Sequence, residues 1–143
     1  MFSPQPFAPS GRANPFANAY RQIDTETAVA AANPHHLVSM LFDGCLDAIA
    51  QARGAMRERR IEAKARAIGR AVRIVDEGLR CCLDLKAGGD LAADLNDLYG
   101  YLARRLTLAN LRNDESLLDE CQRLVTPLRD AWQQIGAEVA QGQ

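Results

Sequence analysis

The chain has 143 residues, 48% hydrophobic and only 6% aromatic, which fits one domain with a core of Leu, Ala, Val and Ile. Its 17 basic and 18 acidic residues leave a formal net charge of −1, which excludes a global field drawing it onto DNA or an anionic membrane. No window approaches the ~18 uninterrupted apolar residues of a membrane span. The amino terminus also lacks the basic region and apolar run of a secretory signal, so a cytosolic protein without membrane insertion is expected.

Residues 1–18 hold Pro4, Pro6, Pro9 and Pro15, with Arg12 as the one charge, and are expected to form a disordered, proline-rich leader without a regular helix. Residues 19–33 differ: Tyr20, Ile23 and Val29 among Ala and Thr make a weakly adhesive arm or lid. The bundle domain is expected over 34–139. Its first helix has a sharp start, with Asn33 as cap and Pro34 at the first helical position. Leu37, Leu41, Cys45, Ala48, Ala52 and Met56 then form a stripe that Val38, Phe42 and Ile49 widen, and Arg57–Arg60 turns the chain.

The second helix carries Ile61, Ala65, Ile68, Val72, Val75, Leu79 and Cys82 as a heptad seam. It is expected to end near Lys86, where Gly88 and Gly89 supply a left-handed cap. Asp90 is the expected cap of the third helix, with Leu91, Leu95, Leu98, Leu102, Arg105 and Ala109 as its seam and Tyr99 and Leu106 beside it. After a polar turn at Asn110–Asp114, the fourth helix reads Leu117, Cys121, Leu124, Leu128, Trp132, Ile135 and Val139. Pro127 predicts a bend near Leu124 rather than a break, because the spacing resumes at Leu128. The fold class is therefore all-α: an antiparallel up-down-up-down four-helix bundle with an extended amino-terminal arm.

Chemistry is sparse. Cys45, Cys81, Cys82 and Cys121 lack paired metal-ligand spacing and read as reduced thiols. His35 and His36 are consecutive, diverge on a helix and read as solvated or capping side chains. Asp43 with Asp47, and Asp90 with Asp94, read as solvated faces rather than acid–base pairs. No nucleophile elbow, phosphate loop or dinucleotide fingerprint occurs, so no catalytic residue, cofactor or metal is expected. The basic stretch from Arg53 to Arg73 carries no aromatic and is diluted by Glu58 and Glu62. A solvated face is therefore expected ahead of nucleic acid, with an acidic protein partner left open as a third reading.

The run from Asn33 to Gly44, N-P-H-H-L-V-S-M-L-F-D-G, resembles the FliS family of flagellar secretion chaperones. The resemblance continues upstream in Ala19-Tyr20-Arg21-Gln22. It resumes in Leu98–Leu106, in Ala109–Asp114 and in Leu128-Arg129-Asp130-Ala131-Trp132, spanning about residues 19–135. Asn33 stands where the family usually has Ser, the leader is longer than usual and Pro127 is unusual. The resemblance implies a non-enzymatic, cytosolic export chaperone. Such a protein holds the disordered C-terminal segment of flagellin, prevents premature polymerisation and delivers it to a flagellar export gate component. Candidate contacts for that partner are Tyr20, Ile23, Met40, Leu41, Leu95, Tyr99, Leu102, Arg104 and Arg105, with Leu41, Leu95 and Leu102 read as core first. The alternative is a helical adaptor or regulator that binds other flagellar factors.

Overall fold

The computed structural model describes residues 14–20 and 33–141, the side chains as far as residue 138. A short helix α1, Pro15–Ala19, precedes four longer elements: α2, Pro34–Arg57; α3, Ile61–Arg73, running into a π-helical stretch Ile74–Arg80; α4, Gly89–Arg112; and α5, Glu115–Gln141. Neighbouring pairs are α2/α3, α3/α4, α4/α5 and α5/α2, with α1 lying on α4 and α5. Directions follow from cross-helix contacts. Arg53 meets Glu115, Asp43 meets Arg129 and His35 meets Trp132, so α2 and α5 run oppositely. Lys64 with Asn110, and Arg80 with Asn96, set α3 against α4 in the same way. Arg105 with Glu120 does so for α4 and α5. A methyl on Gly78 would stand 2.9 Å from Leu41, and one on Gly44 3.3 Å from Ile74, which makes α2 and α3 antiparallel. The fold is the expected all-α, up-down-up-down bundle.

The helix starts follow one local rule. Asn33 is extended and its Oδ1 accepts from His36 N at 3.2 Å, with Pro34 at the first position. Asn14 and Pro15 repeat the device, Asn14 Oδ1 accepting from Phe16 N and Ala17 N at 3.1 and 3.2 Å. Pro15–Ala19 is thus helical inside a stretch expected to form no regular helix. A proline at the first helical position lacks an N–H that nothing needed. Residues 1–13 lie outside the described ones.

The turns are more specific than composition suggests. Arg59 takes a left-handed φ of 59°, letting Arg60 N reach Ala55 O at 2.9 Å and close α2. Asn113, φ 52°, ends α4, and Asp114 Oδ1 accepts from Ser116 N at 2.9 Å to begin α5. Helix α3 ends at Arg80 rather than near Lys86. Gly89 has φ 56° as expected, but it opens α4 instead of closing α3, and Asp90 falls in the first turn of α4. Helix α5 runs through Pro127 without a break, the proline facing solvent.

The core contains Val38, Phe42, Ile49, Ile68, Val75, Leu79, Tyr99, Leu102, Leu106, Leu118 and Val125, each essentially inaccessible. Burying one Leu, Ile or Phe of this set stabilises the fold by roughly 1.5–3 kcal/mol. Three seams differ from the expected ones. On α3, Ile61 is 68% exposed and Ala65 is exposed, while Lys64 is only 4% exposed. Its ammonium reaches Asn110 O at 3.0 Å and Asn113 Oδ1, where the last carbonyls of α4 lack helical donors. On α4, Tyr99 and Leu106 are in the core, Leu91 and Leu98 are half-buried, and Arg105 leaves the seam to pair with Glu120. On α5, Leu118 and Val125 are inside while Leu124 and Leu128 border them; the Val139 side chain is outside the described set.

Candidate functional site

The most distinctive surface lies where α1 rests on α4 and the far half of α5, beside the start of α2. The one described piece of the arm brings Phe16, Ala19 and Tyr20 to this site. Phe16 meets Trp132 edge-on at 5.0 Å and Phe42 at 6.2 Å, and Tyr20 meets Trp132 edge-on at 5.4 Å. Such edge-to-face pairs add about 0.5–1.5 kcal/mol each beyond simple burial. Trp132 is fixed by His35: the rings stack at 4.8 Å, Trp132 Nε1 donates to His35 O at 2.9 Å, and His35 Nε2 lies 2.7 Å from Trp132 O.

Among the described residues two polar contacts tie Ala19 and Tyr20 to the bundle. Asp84 N donates to Ala19 O at 2.7 Å, and the Tyr20 and Tyr99 hydroxyls meet at 2.5 Å with both side chains buried. Burial raises the pKa of both tyrosines; the neighbouring Tyr99 raises that of Tyr20 further, whereas the hydrogen bond from Tyr20 partly opposes the rise at Tyr99. Both rings therefore stay protonated, and a neutral O–H···O bond closes the latch. Beside it an open cleft of about 290 Å³ is walled by Ala17, Tyr20, His35, Val38, Trp132 and Ile135.

A second groove, about 420 Å³, lies between α3 and α4, with Val72, Ala103, Leu108 and Leu111 as its apolar wall and Arg80 and Arg104 at its edge. Leu111 is 78% exposed, the most open of the large apolar residues described. Its position off the expected seam was the available signal.

The expected contact residues separate into groups. Tyr20, Leu95, Tyr99 and Leu102 are buried, Leu41 is half-buried and Met40 is 56% exposed. Tyr20 and Tyr99 meet, whereas Met40 takes no part in the seat. Arg104 is exposed at the α3/α4 groove. Arg105 donates to Glu120 at 2.8 Å and lies 5.6 Å over the Tyr101 ring. Ile23 lies outside the described residues. His35, expected as a solvated or capping side chain, is instead the partner of Trp132, and Phe16 joins the seat from what was read as leader. The repeated Asn-Pro pair at 14–15 and 33–34 was the sequence signal for that arm helix.

Burial raises the thiols of Cys45 and Cys121 to about 12, leaving both as neutral core groups. Among the described residues no three His, Cys, Asp or Glu side chains converge to hold a metal, and no helix is long and apolar enough to cross a membrane.

The family model described as flagellar protein FliS matches residues 16–139, which takes in α1, its seat and the bundle. The chain belongs to the FliS family. It is 41% identical over 122 residues to the flagellar secretion chaperone FliS of Salmonella typhimurium, covering 85% of this chain and 90% of that one. It is 45% identical over 116 residues to the flagellar secretion chaperone FliSB of Pseudomonas aeruginosa, covering 81% and 91%. The Bacillus subtilis flagellar secretion chaperone FliS is 36% identical over 121 residues, 85% of each chain. In this FliS-family chain the matched stretch begins at Phe16, the first aromatic of the arm that enters the seat.

Proposed function

We propose that this chain is a cytosolic flagellar secretion chaperone that binds the disordered C-terminal segment of flagellin, prevents its premature polymerisation and delivers it to a component of the export gate. The supporting observation is the seat of Phe42, Tyr99 and Trp132, filled by Phe16 and Tyr20 from a short helical piece of the chain's own arm. An apolar surface that accepts one short amphipathic helix can accept another of matching shape.

In this reading Tyr20 and Ile23 belong to a lid that leaves when flagellin arrives, exposing Tyr99, with Leu95 and Leu102 as further contacts for the tail. In the same reading the α3/α4 groove takes a further part of the tail, with Arg104 at its edge meeting one of the tail's carboxylates. Arg105 is already engaged by Glu120 and has to exchange partners to take part. Met40 and Leu41 offer apolar area on α2. Masking the tail requires shape and apolar surface, not bond chemistry. Ordering a disordered segment typically consumes 2–5 kcal/mol of the gross interaction, which keeps binding reversible enough for release.

Calorimetric titration with roughly the last 60 residues of the host's flagellin tests the reading, because burying that much chain gives a large negative heat-capacity change. Saturable binding at micromolar concentration or tighter is expected. Absence of binding at micromolar concentrations transfers the assignment to a helical adaptor of other flagellar factors.

A further inference from the structure

Among the described residues seven arginines pair with a carboxylate, and Arg59, Arg66, Arg70, Arg73, Arg104 and Arg112 do not. Arg53 and Arg57 are paired with Glu115, Arg80 with Asp76, Arg105 with Glu120 and Arg129 with Asp43. On α3 the situation is different. Arg66, Arg70 and Arg73 follow one another by four and three residues, so they share one exposed stripe, and among the described residues none is bonded to a carboxylate. Between that stripe and the last turns of α2 runs a cleft of about 450 Å³, with Arg60, Arg66 and Arg70 along it. Its floor is made of Ala55, Ala63 and Ala67, and a side chain on Gly54 would project into open space. Glu58 stands at the rim and, among the described residues, pairs only with Arg60, at 3.7 Å with both side chains largely exposed.

We propose that this α2/α3 cleft is a second docking surface, taking an acidic peptide segment of a partner protein. Its carboxylates are received by the free guanidinium groups of Arg66 and Arg70, whose planar forks suit bidentate carboxylate pairing. Small apolar side chains of the same segment settle on the alanine floor, which has no bulk to obstruct them. Nucleic acid fits less well. The cleft has no aromatic on which a base stacks, and Glu58 with Glu62 on the adjoining turn opposes a phosphate backbone. The arm's seat uses the opposite end of α2, together with α4 and α5, which do not line the cleft, so both surfaces can be filled at once, and the cleft serves a partner other than the one that displaces the arm.

The test is fluorescence anisotropy of a labelled peptide of Glu-Ala-Leu repeats against the full chain, at low salt and at 0.5 M salt, a concentration that shortens screening to a few ångströms. Three variants are compared: Arg66→Ala with Arg70→Ala; Gly54→Glu, which places a competing carboxylate in the open space; and Lys86→Ala with Arg123→Ala, which removes the same charge elsewhere. Circular dichroism confirms that each is folded. Saturable, salt-sensitive binding is expected, weakened at least tenfold by the first two changes and less than twofold by the third. An oligonucleotide of equal charge is expected to bind more weakly than the peptide. The proposal is overturned by no saturable peptide binding, by equal losses in the Lys86/Arg123 variant, by Gly54→Glu leaving affinity unchanged, or by tighter binding of the oligonucleotide.

Discussion

Trp132 is the chain's single tryptophan, and its two hydrogen-bonded contacts with His35 make it both the wall of the arm's seat and a reporter on it. A methyl at Gly136 would overlap the His35 ring, which stacking and a hydrogen bond prevent from stepping aside. Gly136→Ala is therefore expected to destabilise by about 1–3 kcal/mol, outweighing the ~1 kcal/mol that alanine normally offers a helix. A lower urea midpoint with red-shifted Trp132 emission checks it; a more stable variant refutes the clasp. Tyr20→Phe leaves the Tyr99 hydroxyl buried without its partner, at a cost of about 1–3 kcal/mol to arm docking. If the arm competes with flagellin, that variant binds the tail more tightly in a calorimetric titration, and weaker binding counts against competition. Asn33-Pro34 was readable because capping is local chemistry. The role of His35 was not, because its partner is 97 residues away.

Elements were legible where periodicity alone decides, and misread where one long-range partner rotates a helix. On α4 the leucine count favoured Leu91 and Leu98, yet Tyr99 lies inside because its ring fills the bundle and its hydroxyl finds Tyr20. On α3 the seven-residue seam holds through the π-helical stretch, where Val75 and Leu79 are buried in line with Ile68, and fails at its start, where Ile61 and Ala65 are exposed and Lys64 turns inward. Lys64 looked like one cation in a basic run, and only the fold reveals the open carbonyl end of α4 above it. Lys64→Ala is expected to cost roughly 1–3 kcal/mol by leaving Asn110 O without that donor, whereas Lys64→Arg, which keeps a donor, is expected to cost less. Chemical denaturation of the two variants settles the point, and an unchanged midpoint for Lys64→Ala would falsify it. Gly88 supports the arm similarly: a methyl there would lie 2.8 Å from Ala19 Cα and 2.9 Å from Asp84 O. Gly88→Ala should free the arm, seen as loss of protection at the Asp84 amide in hydrogen exchange while the middle of α2 stays protected.

Across the whole molecule, the helix ends are joined by carboxylates whose pKa values are held down in the fold. Hydrogen bonds from Arg57 and Arg53 lower Glu115, those from Tyr101 and Arg105 lower Glu120, and those from Ser116 lower Asp114. A carboxyl depressed on folding adds stability above its unfolded pKa, and that stability is lost as pH falls through the folded value. For glutamates the loss therefore begins near the usual 4.5 and continues below it. Thermal melts between pH 7 and 3 should show that decline, with Glu115→Gln less stable at pH 7 and flatter toward acid; parallel profiles would contradict the assignment. The bundle architecture was legible from four amphipathic stretches and short polar turns. The seat was not, because it joins α1, α2, α4 and α5 from distant parts of the chain.

The most direct measurement compares tail affinity for the intact chain and for a chain lacking residues 1–24, with helicity recorded for both. Removal of a displaceable lid leaves the helices folded and the flagellin tail bound as tightly or more tightly. Weaker binding, or collapse of the helical signal, would show that the arm belongs to the bundle itself and does not guard a site for another chain.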